Sequence, residues 1–272
     1  MSRPRWGWLA YLTVLAALAA SDASAQGLVL RLPPDGTWVR YEGTYTQNEI
    51  RPDSATGKLE IPAWREQVTI KSVGTETAEF RGEMVPCRWI EVKVERGREA
   101  EGKIDVGVTG LEIYKVLVPE SAVTAKAVAQ DGIPNSFLPI IKGVRKHGQS
   151  DPQPINELAL RLYPLAILFG YCRDLQTEEK GVDPGIGLGA VSADVLTGGS
   201  VLERKSSRTQ LDMKIWASQD VPFGVAAWTA KITRQIKDAQ EPREDFRPTT
   251  EVVVELKAQR SGADATSELN AN

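Results

Sequence analysis

The sequence predicts a mainly β protein (α+β), built as a curved antiparallel sheet or half-barrel wrapped around one apolar helix. Three observations carry this expectation. Several stretches alternate apolar and polar residues with period two, the mark of a strand with one dry and one wet face. Turn chemistry separates them. One stretch, residues 155–169, switches to helical spacing and is apolar nearly all round, which suits burial under the dry faces.

The clearest alternation is residues 211–236. Leu211, Met213 and Ile215 alternate with Asp212, Lys214 and Trp216, and Ala226, Trp228, Ala230 and Ile232 alternate with Ala227, Thr229 and Lys231. Between them Pro222 presets its backbone angle and Gly224 tolerates a positive φ, so a hairpin turning at residues 222–224 is predicted.

The N-terminus is read as a removable segment. Arg3 and Arg5 precede the apolar run of residues 9–20, and Ala23-Ser24-Ala25 is a small-residue cleavage site. This is the pattern of a secretory signal peptide, and the run is short for a bilayer span. The expected organisation is residues 1–25 signal peptide, 26–258 a single β-rich domain, and 259–272 a disordered tail. The expected location is secreted or periplasmic, in a bacterial envelope, with no stable membrane span after cleavage.

The composition is 42% hydrophobic and 25% charged, which fits a globular chain rather than a disordered one. A net charge of −3 offers no broad basic field, so nucleic acid is not an expected partner.

In chain order, residues 37–46 form a strand with Val39, Tyr41 and Tyr45 on one face. Residues 67–71 follow with Val68 and Ile70 inward, and Val73-Gly74-Thr75 can turn the chain back toward residues 77–81. Residues 87–95 are a clean strand: Ile90, Val92 and Val94 are dry, Glu91, Lys93 and Glu95 wet. Residues 97–110 read as a long glycine-rich loop or irregular edge, and 111–118 as an apolar strand ended by Pro119. A short helix capped by Ser121 is predicted over 121–130, and loop over 132–154. The apolar helix follows, kinked or restarted at Pro164. Residues 177–189 read as loop, 190–196 and 201–205 as short strands, and 250–257 as the last strand, with Val252, Val254 and Leu256 inward.

One-faced strands, an inner helix, the signal peptide and the V-P-F-G hairpin together resemble the half-barrel of periplasmic lipoprotein carriers and related lipid-binding envelope proteins. The segments LPPDGTWVRYEG, PCRWIEVKVE and VPFGVAAWTAKI are also similar to secreted bacterial proteins of planctomycete type. Neither resemblance transfers functional residues.

Catalytic chemistry is sparse. His147 is the only histidine, in the loop sequence GVRKHGQS, and no G-x-S-x-G elbow is present. One histidine and two cysteines do not make the usual zinc sets. Glu42, Glu91, Glu95, Glu251 and Glu255 fall on wet faces, where solvated or ion-paired surface charge is the default. PGIGLG, with Gly185, Gly187 and Gly189, reads as a flexible turn and not as a nucleotide loop. No catalytic residue, metal or cofactor is assigned. Trp38, Trp64, Trp89 and Trp216 project from faces that otherwise read as polar and form either a contact patch or aromatics covered by neighbouring segments.

The expected function is a non-catalytic binding module for a lipid or other apolar ligand held between sheet and helix, with Leu162, Leu165, Phe169, Trp216 and Trp228 as candidate ligand-binding residues. The alternative is an envelope structural or protein-interaction protein with a fully packed core. Cys87 and Cys172, the only cysteines, are expected to form a disulfide in an oxidising compartment.

Cleavage between Ala25 and Gln26 gives a secreted chain starting at Gln26. Intact-mass measurement of the exported protein checks it; a mass retaining residues 1–25 contradicts it.

Overall fold

The computed structural model describes residues 29–51, 57–123, 139–156 and 176–270. They form one open antiparallel sheet of 12 strands. The strands are β1 (Trp38–Ile50), β2 (Lys58–Phe80), β3 (Glu83–Ala100), β4 (Lys103–Asp105), β5 (Leu111–Pro119), β6 (Lys142–His147), β7 (Gln153–Pro154), β8 (Gln176–Val182), β9 (Ala193–Glu203), β10 (Ser207–Ala217), β11 (Val225–Ile236) and β12 (Arg247–Gly262). Their order is β7-β6-β5-β3-β2-β1-β12-β11-β10-β9-β8, with β4 paired to β3. The chain thus starts in the middle, meanders to one end, and returns from the other end to pair β12 with β1.

The predicted alternation defines the inner face. Val39, Tyr41, Val68, Ile70, Ile90, Val92, Val116, Met213, Ile215, Trp228, Val254 and Leu256 are all buried in one apolar cluster. At its centre the Tyr41 and Trp228 rings lie 4.8 Å apart and tilted by 60°. The Tyr41 hydroxyl donates to the Val225 carbonyl at 2.9 Å, which satisfies a phenol that burial would otherwise penalise and whose ionisation burial suppresses.

The hairpin over residues 211–236 is present as β10 and β11, with Ile215 opposite Trp228. Its turn at Pro222–Gly224 has the positive φ at Gly224 (87°), and a second one at Phe223 (63°). A bulky residue there is strained and needs compensation. Phe223 is fully buried, and its carbonyl accepts from the Leu30 amide at 2.9 Å, so the turn pins the leader before β1 to the core.

Several boundaries differ from the sequence expectation. Residues 73–75 do not turn the chain. They form an irregularity in a continuous β2, and the reversal comes at Arg81 and Gly82, both at positive φ. β3 runs through residues 97–100 and returns as β4, where a long loop or irregular edge was expected. Residues 176–182 are a strand rather than a loop, and β9 joins the two short strands into one. In each case the missing information was a neighbouring strand that supplies hydrogen-bond partners to a polar segment.

Of the tail expected to be disordered, residues 259–270 are described. β12 continues to Gly262, and residues 263–270 lie across the outer face with Leu269 buried. The anchor is Glu91, fully buried on that face. Its carboxylate accepts from the Ser267 hydroxyl (2.8 Å), the Glu268 and Leu269 amides (2.9 and 3.3 Å) and the Lys71 ammonium (2.9 Å). A composition poor in apolar residues gave no hint of this, because polar hydrogen bonds hold the strap.

The expected inner helix and the expected helix over 121–130 fall on residues mostly outside those described. Of the residues described there, Glu120–Ala122 is a 3-10 turn. Among the described residues no helix is long and apolar enough to cross a membrane. The end strands carry features that discourage pairing with other chains: β7 is two residues ending in Pro154, and β8 is polar and exposed.

Trp228→Ala is expected to lower unfolding free energy by about 3–5 kcal/mol, whereas Trp216→Ala, half-buried on the opposite face, should cost no more than about 1.5 kcal/mol. Urea denaturation of both variants checks this; equal losses would contradict the assignment of faces.

Candidate functional site

The inner face is apolar only over part of its length. Past Val68 and Val94, the residues in phase with it become charged: Glu66 on β2 and Arg96 on β3 stand directly opposite each other. The Arg96 Nη2 donates to Glu66 Oε1 at 2.8 Å. Glu66 is fully buried and Arg96 17% exposed, so this ion pair is largely removed from water. One bond is made where the guanidinium fork allows two, and Glu66 Oε2 and Arg96 Nε are both buried without a partner. Burial pushes the Glu66 carboxyl above its usual range; Arg96 pulls it down, and Glu112 pushes it up again.

Beside this pair lies a recess of about 550 Å³. β3 supplies Val94 and Arg96, β5 supplies Glu112, β6 supplies His147, and β2 supplies Trp64. The register explains the convergence, since Glu112 sits opposite Val94 on one side and opposite His147 on the other. Trp64 stacks on Tyr45 at 5.7 Å, and the Arg96 guanidinium lies 4.9 Å from the Tyr45 ring centre. Tyr114 donates its hydroxyl to Glu112. Residues 105–110 form a wall of the recess. This wall packs close because Gly97 and Gly110 lack side chains: a Cβ at either would lie 1.8 or 2.0 Å from the carbonyl oxygen of Asp105 or Arg96.

The site offers an aromatic surface, a guanidinium, an imidazole and carboxylates around a space large enough for a small polar group. The Ser150 hydroxyl donates to the His147 backbone carbonyl at 2.6 Å and not to the ring. Among the described residues no group of three or more His, Cys, Asp or Glu side chains could hold a metal ion.

Of the candidate ligand-binding residues, Trp216 and Trp228 are among the described residues. Leu162, Leu165 and Phe169 lie outside the described residues. Trp228 is 1% exposed and belongs to the packed core. Trp216 is on the outer face, half-buried, with the Lys214 ammonium 5.5 Å from its ring. The two tryptophans therefore face opposite sides of the sheet. Cys87 is buried as a free thiol, and Cys172 lies outside the described residues, so the expected disulfide is not shown.

Of the other aromatics, Trp89 is buried in a small outer-face cluster with Cys87 and Leu117. Trp38 is partly buried and donates to Asp264 on the strap at 2.7 Å. Trp64 alone among these four is exposed, and it shares the inner side with Glu66, beyond the end of the core. Glu66 and Arg96 went unnoticed in the sequence. The available signal was phase: each follows the inward alternation of its strand and carries a charge where an apolar residue was due.

Arg96→Met should destabilise the protein by about 3 kcal/mol at neutral pH, because it leaves a buried carboxylate unpaired. The cost should shrink on acidification through the carboxyl's raised titration range and be least below its ordinary value of 4.5, where protonation has removed the charge. Denaturation curves from pH 4 to 8 check the sign; a penalty that does not fall with acid would contradict a charged Glu66. No family model matches this chain, and no curated protein matches it.

Proposed function

We propose that the chain is a secreted or periplasmic, non-catalytic binding module for a lipid or other apolar ligand, with the ligand's polar end in the recess between β2, β3, β5 and β6. One observation carries the reading: Val94 is both a member of the apolar cluster and part of the recess lining, so a polar, open site meets the end of an apolar face. That junction suits a molecule with one apolar and one polar part. The envelope location rests on the charged start, apolar run and cleavage site of the N-terminal sequence.

A specific observation favours a second reading, an envelope structural or protein-interaction protein. Tyr41, Phe223 and Trp228 are each at most 1% exposed, so the described core beneath the hairpin is filled by the protein's own side chains.

Native mass spectrometry of the purified protein separates the two. The binding reading expects a bound species released by organic solvent, with occupancy lowered in Trp64→Ala while thermal stability is unchanged. A bare chain mass before and after challenge with phospholipid and fatty acid would favour the packed structural protein.

A further inference from the structure

The outer face carries a second recess of about 550 Å³, lined by residues of β1, β2, β3, β4 and β12. Its lining carries four cations, Arg40, Arg65, Lys103 and Arg260, and four carboxylates, Glu42, Glu66, Glu95 and Glu99, but they are not all paired with one another. The carboxylates are engaged: Glu42 accepts from Gln67 (3.1 Å), Glu95 meets Lys93 (3.5 Å), Glu99 holds Arg65 (2.8 Å), and Glu66 turns to Arg96 on the other face. Three cations of the lining, Arg40, Lys103 and Arg260, make no salt bridge among the described residues.

Two of them are placed against each other. Arg40 on β1 is directly opposite Arg260 on β12, and the register shifts between Arg40 and Tyr41, so that Tyr41 faces Ala258 and Gln259 is the extra residue. Without that bulge, alternation from the buried Ala258 would turn Arg260 to the inner face; with it, Arg260 lies beside Arg40 outside. Directly opposed side chains start about 5 Å apart at Cβ, and like charges there repel. Arg40 is also held in place: its guanidinium lies 5.8 Å from the Trp38 ring, and Trp38 is fixed by the strap through Asp264. Its Nε is buried with no hydrogen-bond partner. A desolvated guanidinium donor facing a second arginine across a strand pair is an arrangement that an anion with several oxygens would stabilise, accepting from both forks at once.

We propose that Arg40 and Arg260, with Lys103 at the rim, form an anion-binding site for a phosphate or phosphoryl group on the outer face of the sheet. This site is separate from the inner recess and does not depend on its occupant. The phosphoryl group can belong to a soluble molecule or to a lipid headgroup.

The test uses the purified full-length secreted protein, titrated with inorganic phosphate against chloride at matched ionic strength and followed by thermal unfolding and calorimetry. Phosphate is expected to raise the melting temperature and to bind saturably, and Arg260→Gln should weaken binding about tenfold or more. Arg260 is exposed, so this variant tests the site even if Arg40→Gln folds poorly. Without phosphate, Arg260→Gln should melt no lower than the parent, because it removes a like-charge pair. Sedimentation with phosphatidylglycerol and phosphatidylcholine vesicles distinguishes the sources. Binding to the anionic vesicles that Arg260→Gln abolishes assigns a lipid headgroup; phosphate binding without vesicle binding assigns a soluble phosphoryl compound. No phosphate effect beyond chloride together with no Arg260-dependent vesicle binding overturns the proposal, as does an unchanged phosphate response in Arg260→Gln.

Discussion

The structure depends on the seam between β1 and β12. Each half of the sheet is a meander of local hairpins, and among the described residues this is the strand ladder that joins the half that ends at β7 to the half that begins at β8. The two strands are separated by nearly the whole described chain, so closing them carries the largest loop entropy in the fold. Several features favour that closure. Gly43 allows an approach that no side chain would permit, since a Cβ there would lie 1.8 Å from the Glu255 carbonyl oxygen. Beneath the seam, Tyr41 of β1 packs on Trp228 of β11 and donates to the Val225 carbonyl. The strap that continues β12 then runs back over β1, β2 and β3 on the outer face, so the last strand is clamped from both sides.

The two buried carboxylates show how the same residue type serves different ends. Glu91 is surrounded by donors from a lysine, a serine and two backbone amides, and its burial fixes the strap. Glu66 has a single donor, and one of its oxygens is left without a partner. A fully satisfied buried charge reads as architecture, while a half-satisfied one beside an open recess marks a place where the fold tolerates unfavourable electrostatics. The inner recess therefore stands out on energetic grounds as well as by shape. Nothing comparable surrounds Trp216, whose ring lies on the other face beneath a lysine.

What the sequence by itself determined was the pattern of faces. Period-two alternation placed Val39, Tyr41, Val68, Ile70, Ile90, Val92, Ile215, Trp228, Val252, Val254 and Leu256 on the buried side, because a one-residue slip would turn every apolar residue outward. It also placed the hairpin turn at Pro222–Gly224, where proline and glycine constrain the backbone locally. Only the tertiary structure decided the rest. Residues 97–100, 103–105 and 176–182 became strands because neighbours supplied ladder partners, not because their own side chains demanded it. The polar strap ordered because Glu91 offered several acceptor sites at once. Glu66 with Arg96, and Arg40 with Arg260, are pairs made by register between distant strands, and the second exists only because a bulge shifts β12 by one residue. Alternation is a property of one strand and is written in consecutive residues; register, bulges and buried charge pairs are properties of two, and nothing within either strand specifies its partner.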